Sequence, residues 1–347
     1  MKLVVLGSGG SQPTPKVGCD CRTCRAARLE MRRDPRSRHV RTGPSLWLPE
    51  YGVLIDTPEE SNAQLNLHAD GALNLAHVLW SHFHPDHTAG VRTVEFIARW
   101  GTGGVPTYWP ADLETGLMEL NLFQFAVQRH HLEIHRVRDR EPFKLGDLNV
   151  TMLRHTGPMP MYSFLLEDAN SRFLYNPDHV MTLDLTGLEH LDCAIVQVGL
   201  MPDGSQSFIL PPDHPARKVL LPLETICENA ARLGWKKLFF THLYETIRLF
   251  PEEYDALGQN LSKQFGLEIG FCFDGMTLEL GQRIDLLADS SSSLSVEELL
   301  ARLHAKREAI SSQYAQDRPR MRTEMRALMG SAEQLELDAR QKKRNLS

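Results

Sequence analysis

The sequence predicts an α/β protein over about its first 280 residues. Short runs of β-branched and aromatic residues alternate there with stretches that have helical spacing. We expect strands at residues 3–6, 45–48, 53–55, 78–81, 150–153, 164–166, 173–175, 194–198, 238–241 and 278–280. We expect helices at 93–100, 112–125 and 224–233. Many short strands with helices between them indicate packed sheets covered by helices.

Length and charge exclude several classes of protein. The chain has 347 residues and a formal net charge of −6, which gives no support for a surface that coats nucleic acid, so we expect no nucleic-acid partner. No apolar run approaches the roughly 20 residues that span a bilayer. The apolar run before Gly7 is too short for a signal peptide. We therefore expect a cytoplasmic protein without membrane contact.

A polar linker divides the chain after residue 281. Asp289 precedes four serines, and Ser295 with Glu298 forms a capping box that predicts a helix start. Pro319 separates this helix from a second predicted helix at about 321–340. We divide the chain into a main domain, residues 1–281, and a linker with a helical extension, residues 282–347. The extension is a candidate surface for a homodimer.

The strongest functional signal is the segment S-H-F-H-P-D-H at residues 81–87, directly after a predicted strand. Imidazole and carboxylate groups suit zinc, manganese and iron. Alternate residues of a strand share a face, so His82 and His84 point the same way. Asp86 and His87 lie past the bend, within reach of a second ion. This segment therefore predicts a metal centre rather than a histidine-rich surface loop.

The motif His-x-His-x-Asp-His resembles the signature of the metallo-β-lactamase superfamily, and the resemblance covers roughly residues 1–281. It implies an αβ/βα four-layer sandwich with two catalytic divalent ions (Zn, Mn or Fe). Asp56, after a predicted strand, would orient a ligand histidine. The matching positions imply that the first ion is held by His82, His84 and His155, the second by Asp86, His87 and His242, and that both share Asp178.

Three of the six cysteines lie within six residues, at Cys19, Cys21 and Cys24. Their spacing allows three thiolates around a tetrahedral zinc ion, with one ligand still missing. The other three are scattered among apolar neighbours and are expected to be buried thiols: Cys193, Cys227 and Cys272.

This cysteine-rich insertion, near residues 18–41, resembles one in the superfamily's cyclic-phosphate phosphodiesterase of the carbon–phosphorus lyase pathway. A related pyrroloquinoline-quinone biosynthesis protein has a similar arrangement. In the phosphodiesterase, a histidine three residues after the last active-site histidine completes a structural zinc site. That position is Glu245 here. The resemblance therefore implies a structural zinc ion with Glu245 as its fourth ligand.

The same resemblance implies hydrolysis of a small phosphodiester, including cyclic ones, by a hydroxide that bridges the two metals. The family's general-acid position is Leu220 in this chain, and His214 lies six residues earlier. Asp86 and His214 are thus our candidate catalytic residues, with His214 as the general acid. Five arginines between Arg32 and Arg41 predict a rim that attracts a small anionic substrate.

Three alternatives stay open at the level of the sequence. Two are other superfamily activities: hydrolysis of a lactone or another ester, and an oxygen-dependent step in cofactor or metabolite biosynthesis. Leu220 favours them, because a better leaving group needs less protonation. The third is a protein that binds a metabolite without hydrolysing it. The seven intact ligand positions argue against that class.

Overall fold

The computed structural model describes residues 1–100, 103–201 and 220–281. The candidate acid His214 and the predicted linker and helical extension, residues 282–347, lie outside the described residues. The described part contains two seven-stranded sheets with packed helices. This confirms the predicted α/β class and the four-layer sandwich. No helix in this part is both long and apolar enough to cross a bilayer.

The first sheet combines the N-terminal strands with the last described strand. Its members are β1 (Lys2–Gly7), β2 (Ser45–Leu48), β3 (Val53–Ile55), β4 (His77–Leu79), β5 (Val105–Trp109), β6 (Leu132–Arg136) and β14 (Thr277–Glu279). Their order in the sheet is β14-β1-β2-β3-β4-β5-β6. The pairs from β14 to β3 are antiparallel, and those from β3 to β6 are parallel.

The second sheet has a matching division into antiparallel and parallel halves. Its members are β7 (Phe143–Leu145), β8 (Leu148–Arg154), β9 (Tyr162–Glu167), β10 (Arg172–Asn176), β11 (Cys193–Gln197), β12 (Lys237–Thr241) and β13 (Glu268–Phe271). The order is β13-β12-β11-β10-β9-β8-β7. The pairs from β7 to β10 are antiparallel, and those from β10 to β13 are parallel.

The helices of the described part cover the two sheets. They are α1 (Arg22–Arg33), α2 (Ser61–His68), α3 (Pro85–Thr88), α4 (Val91–Trp100), α5 (Ala111–Met118), α6 (Asn121–Gln128), α7 (Leu223–Arg232) and α8 (Pro251–Phe265). Helices α2, α4 and α6 contact the first sheet, and α8 contacts β13 of the second sheet.

Alternation along the second sheet explains the layers. In β10, Phe173 and Tyr175 belong to the core that includes the first sheet, whereas Leu174 belongs to a second core with α7 and α8. Because successive side chains of a strand point to opposite faces, one face packs on the other sheet and one on helices. Such strands are buried on both faces and have few polar residues.

The structure corrects several expected elements. Strands β5, β6, β7 and β13 and helices α1, α2 and α8 are present without having been predicted. Strand β6, at the edge of its sheet, is L-E-I-H-R, so its polar residues hide the strand pattern. The helix expected at 112–125 is two helices, because Leu120 between them is extended (φ −88°, ψ 120°). Apolar spacing continues across this break and does not reveal it.

Phe123 tests how strongly α6 packs on the first sheet. Its ring is buried. The centroid of this ring lies 4.9 Å from the ring centroid of Trp80 and 5.9 Å from that of Trp109. Phe123→Ala should lower the free energy of unfolding by about 3–5 kcal/mol, because it removes apolar contacts and leaves a cavity. Urea denaturation measures this change. The neighbouring Leu122 is 46% exposed, so Leu122→Ala should change stability by only about 0.5 kcal/mol. Equal effects would contradict the assigned helix face.

Candidate metal centre

The candidate metal centre forms at the carboxyl ends of parallel strands from both sheets. Asp56 follows β3, His82 follows β4, Asp178 follows β10 and His242 follows β12, while Gln197 ends β11. Carboxyl ends of parallel strands meet at one edge of a sheet, where loops place side chains for binding. The backbone topology therefore brings together residues that are up to 186 positions apart in the chain.

Two groups of side chains have their ligand atoms within 4.8 Å of one another: His82, His87 and Asp178, and Asp86, His87 and His242. His82 Nε2 lies 3.6 Å from Asp178 Oδ2. Asp86 Oδ2 lies 3.3 Å from His242 Nε2 and 3.5 Å from His87 Nε2. The two groups share His87, so they form one continuous centre with contributions from both sheets.

The donor atoms of this centre fit divalent metal ions. Among the described residues, the buried Nε2 atoms of His82, His87 and His242 have no hydrogen-bond partner. Buried polar atoms are normally paired, and an unpaired one costs about 1–3 kcal/mol. Three such nitrogens face two carboxylates, and imidazole with carboxylate is a donor set for zinc, manganese and iron. Cations at this position would satisfy all three nitrogens.

Asp56 fixes the orientation of His87 from beneath the centre. Asp56 Oδ2 accepts hydrogen bonds from His87 Nδ1 at 2.8 Å and from Ser81 Oγ at 2.7 Å, while Oδ1 accepts from Ser81 N at 2.7 Å. With Nδ1 engaged, Nε2 of His87 is left for a metal. Burial opposes protonation of His87, but the charge and hydrogen bond of Asp56 raise its pKa to about 9. Asp56 thus contacts a histidine of the motif, as expected, while the role of His87 as a metal ligand stays a prediction.

Burial and neighbouring charges set the other groups in protonation states that suit metal binding. Burial, with the charge of nearby histidines, lowers the pKa of His82 well below its usual value. Burial also lowers the pKa of His155 to about 4. Burial opposes ionisation of Asp86, but the close approach of His242 and the charges of His87 and His242 hold its pKa below the usual range. Metal ligands need neutral imidazole and ionised carboxylate, and these shifts favour both.

His84 and His155 lie beside the two groups. The rings of His82 and His84 are 4.5 Å apart between centroids. His155 has both ring nitrogens hydrogen bonded, Nε2 with Ser163 Oγ at 2.7 Å and Nδ1 with Thr182 Oγ1 at 2.9 Å. His155 would have to exchange one of these bonds for a metal. The ligand roles of His84 and His155 stay predictions.

Gln197 is a site residue that the sequence analysis missed. Its buried side chain donates from Nε2 to Asp178 Oδ1 and, at 2.7 Å, to Tyr244 Oη. Its Oε1 accepts from Val180 N at 3.2 Å. The amide therefore holds the predicted bridging carboxylate in place. The available signal is a polar residue that ends the otherwise apolar strand C-A-I-V-Q beside the other strands of the site.

The glycine turn after β1 passes close to the last histidine. Gly10 N donates to Leu243 O at 3.1 Å, and Leu243 N donates to Ser8 O at 2.9 Å. A Cβ atom on Gly10 would lie 3.1 Å from His242 Nδ1. Such a contact is tighter than most side chains tolerate, so Gly10 permits the close approach.

The cysteine trio is brought together as expected. The sulfur atoms of Cys19, Cys21 and Cys24 lie within 4.8 Å of one another. Glu245 is not in this group, and its Oε1 accepts a hydrogen bond from Lys16 Nζ at 3.1 Å. Its role as the fourth zinc ligand stays a prediction. The remaining cysteines are buried free thiols, as predicted: Cys193, Cys227 and Cys272.

Family comparison agrees with this geometry. Residues 51–243 match the model of the β-lactamase superfamily domain. The chain belongs to the metallo-β-lactamase superfamily, which confirms the resemblance carried by the His-x-His-x-Asp-His motif. Membership and the clustered donor groups together support a metal-dependent hydrolase.

Solved structures share the fold at low sequence identity. A diphosphatase from the PhnP family is 24% identical, with a TM-score of 0.60 over 81% of this chain and 98% of that chain. Zinc-bound PqqB from Methylobacterium extorquens is 18% identical, with a TM-score of 0.63 over 81% and 100%. The short form of human tRNase Z is 15% identical, with a TM-score of 0.55 over 81% and 100%. These likenesses concern the fold alone.

A curated relative matches only in part. An octanoyltransferase from Porphyromonas gingivalis is 31% identical over 169 residues, which are 44% of this chain and 30% of that protein. The chain therefore matches less than a third of the length of this relative.

Asp56→Asn tests whether the carboxylate beside His87 strengthens metal binding. Loss of the carboxylate charge beside His87 should weaken zinc binding by about 10–100-fold, since such supporting groups contribute that much to metal affinity. Competition with a chromophoric chelator measures the affinity. The exposed Asp70 offers a matched control, and Asp70→Asn should leave the affinity unchanged. Equal affinities for the two variants would show that Asp56 does not support a ligand.

Proposed function

We propose that this protein is a dinuclear metal-dependent hydrolase that acts on a small phosphodiester, including cyclic ones. The observation that carries the proposal is the set of three buried, unpartnered imidazole nitrogens facing Asp86 and Asp178 in a protein of the metallo-β-lactamase superfamily. Nothing in the donor set requires an organic cofactor. The small anionic substrate would be drawn towards the centre by the arginines between Arg32 and Arg41.

Seven residues of this chain would hold the two cations. In the proposal, the first ion is held by His82, His84 and His155, the second by Asp86, His87 and His242, and Asp178 is shared. Divalent cations supply charge that neutralises a phosphoryl group and lower the pKa of water towards neutrality. Gln197 holds Asp178, and Asp56 holds His87, so two of the metal-binding side chains are oriented before any substrate arrives.

Protonation of the leaving oxygen needs a group other than the residue at the family position. Leu220 occupies that position and is only 4% exposed. An isobutyl side chain has no proton to give, so the proton must come from elsewhere. His214 remains our candidate for this role. Its replacement by alanine should then lower turnover most for substrates with poor leaving groups.

Leu220 also favours a second candidate function, the hydrolysis of a lactone or another ester. Such substrates carry less charge at the reacting centre, and a good leaving group does not need a general acid. Turnover of ester substrates that exceeds turnover of phosphodiesters, at equal metal content, would favour this second function.

We further propose that Cys19, Cys21 and Cys24 hold a structural zinc ion. Three thiolates around one ion match the donors of structural zinc sites, which take four ligands. Glu245 would complete the site by leaving its ion pair with Lys16. A carboxylate is a harder ligand than a fourth thiolate or an imidazole, so this site should bind zinc more weakly than a Cys₃His site.

Turnover of bis(p-nitrophenyl) phosphate tests the main proposal. The metal-loaded protein should hydrolyse it, and Asp86→Ala should lower kcat/KM by about a thousandfold, because loss of one cation removes several kcal/mol of charge stabilisation. Asp70→Ala, at an exposed position, should leave the rate unchanged. Metal content of each variant is measured in parallel by mass spectrometry. Full metal loading with no phosphodiester turnover would contradict the phosphodiesterase assignment.

Metal content separates the cysteine site from the catalytic centre. A variant that lacks His82, His84 and His242 should retain about one zinc ion per chain, because the cysteine site remains intact. Cys24→Ser in that background should release this ion. A triple variant without zinc would contradict the structural zinc site. The result does not depend on enzymatic turnover.

A further inference from the structure

A cleft lies beside the candidate metal centre. It separates the cysteine-rich segment from the segment after His242. Its walls carry three arginines, a histidine and two tyrosines: Arg38, His39, Arg41, Tyr244, Arg248 and Tyr254. Glu245 is the acidic residue of the lining, and it is paired with Lys16 at 3.1 Å. Arginines therefore outnumber carboxylates in the lining of the cleft.

Arg41 is a buried cation that lacks a direct counter-charge. It is 7% exposed, and its Nη1 donates to two neutral acceptors, Ser8 Oγ at 3.0 Å and Cys272 O at 2.8 Å. Its guanidinium also lies 4.7 Å from the ring centroid of Tyr254. Within the described ranges, no carboxylate oxygen lies within 4.0 Å of its nitrogens. A buried charge without a partner is costly, so an anion in the cleft would stabilise Arg41.

The carboxylate behind Arg41 is already engaged. Asp274 Oδ1 accepts from Ser8 N at 2.9 Å and Ser8 Oγ at 2.8 Å. Its Oδ2 accepts from Thr42 N at 2.8 Å and Thr42 Oγ1 at 2.6 Å. Asp274 thus reaches Arg41 only through Ser8, and the direct partner of the guanidinium has to come from the cleft.

The rim of the cleft adds a donor that has no acceptor. Arg38 uses Nη1 and Nη2 in a bidentate pair with Asp255, at 3.0 and 2.6 Å. Its buried Nε has no hydrogen-bond partner among the described residues. Arg248 lines the same cleft. Guanidinium groups match the geometry of phosphate oxygens better than other cations do, because their N–H groups form a planar fork.

We propose that this cleft binds a phosphate-type oxyanion between Arg41 at its base and Arg38 and Arg248 at its rim. Tyr244 forms a wall common to the cleft and the metal centre, since its Oη accepts from Gln197, which holds Asp178. The oxyanion is either free inorganic phosphate or a second phosphate group on the substrate of the metal centre. Only the second source rests on the proposed function.

Calorimetric titration of the full chain with inorganic phosphate tests the cleft without any turnover. The metal centre can also bind phosphate, so Asp86→Ala is titrated in parallel. We expect a binding event that persists in Asp86→Ala and weakens about tenfold or more in Arg248→Gln and in Arg41→Lys, which keeps the charge but loses the fork. Arg129→Gln, at an exposed arginine beside Phe125, should bind as the wild type does.

Two results would overturn the proposal: phosphate binding unchanged in both cleft variants, or binding that disappears entirely in Asp86→Ala. Circular dichroism verifies that each variant is folded, and Arg248→Gln at the rim carries the test if Arg41→Lys unfolds. If the wild type does not hydrolyse phosphodiesters, the proposed function is wrong. This titration still tests the cleft in that case.

Kinetics distinguish the two sources of the oxyanion. A cyclic nucleotide with an additional 5′-phosphate and one without it are compared as substrates. If the substrate supplies the oxyanion, the additional phosphate should lower KM about tenfold in the wild type and not in Arg248→Gln. If free phosphate is the ligand, the two substrates should have equal KM values, and the calorimetric event should still be present.

Discussion

The hydrogen bonds of buried Asp56 are the constraint on which the rest of the centre depends. This residue has a left-handed backbone conformation (φ 62°) at the end of β3, and its carboxylate is fully buried. Its oxygens hold Ser81 and His87, the two ends of the histidine segment. A non-glycine residue at positive φ persists only when its surroundings over-determine it. Here the surroundings are the donors that the histidine segment itself supplies.

The candidate metal centre also joins the two sheets. His82, Asp86 and His87 come from the first sheet, whereas Asp178 and His242 come from the second. Ions bound between them would add their binding free energy to the contact between the sheets, because an assembled site does not exist in the unfolded chain. Gln197 and the Gly10 turn lie at the same boundary between the sheets, which we call the seam. They position Asp178 and His242. Metal affinity and folding stability should therefore change together in this protein.

The sequence predicts the parts of the site that short-range patterns encode. The order His82, His84, Asp86 and His87 after a strand identifies the centre, and the cysteine spacing identifies the second cluster. The polar end of strand β11 marks Gln197 as unusual but does not reveal its contact with Asp178, and no short-range pattern reveals the Arg41 cleft. Their roles depend on which strand ends become neighbours, and no local pattern records that Arg41 meets Ser8 and Tyr254. The pairing of Glu245 with Lys16, which are 229 residues apart, is of the same kind.

We propose above that two metal ions occupy the seam between the sheets. Anomalous diffraction from crystals grown with zinc tests it most directly. We expect two peaks about 3.5–4 Å apart, one beside His82 Nε2 and Asp178 and the other beside Asp86 and His242 Nε2. A map with no peak at the seam, in crystals that contain zinc elsewhere, would contradict it.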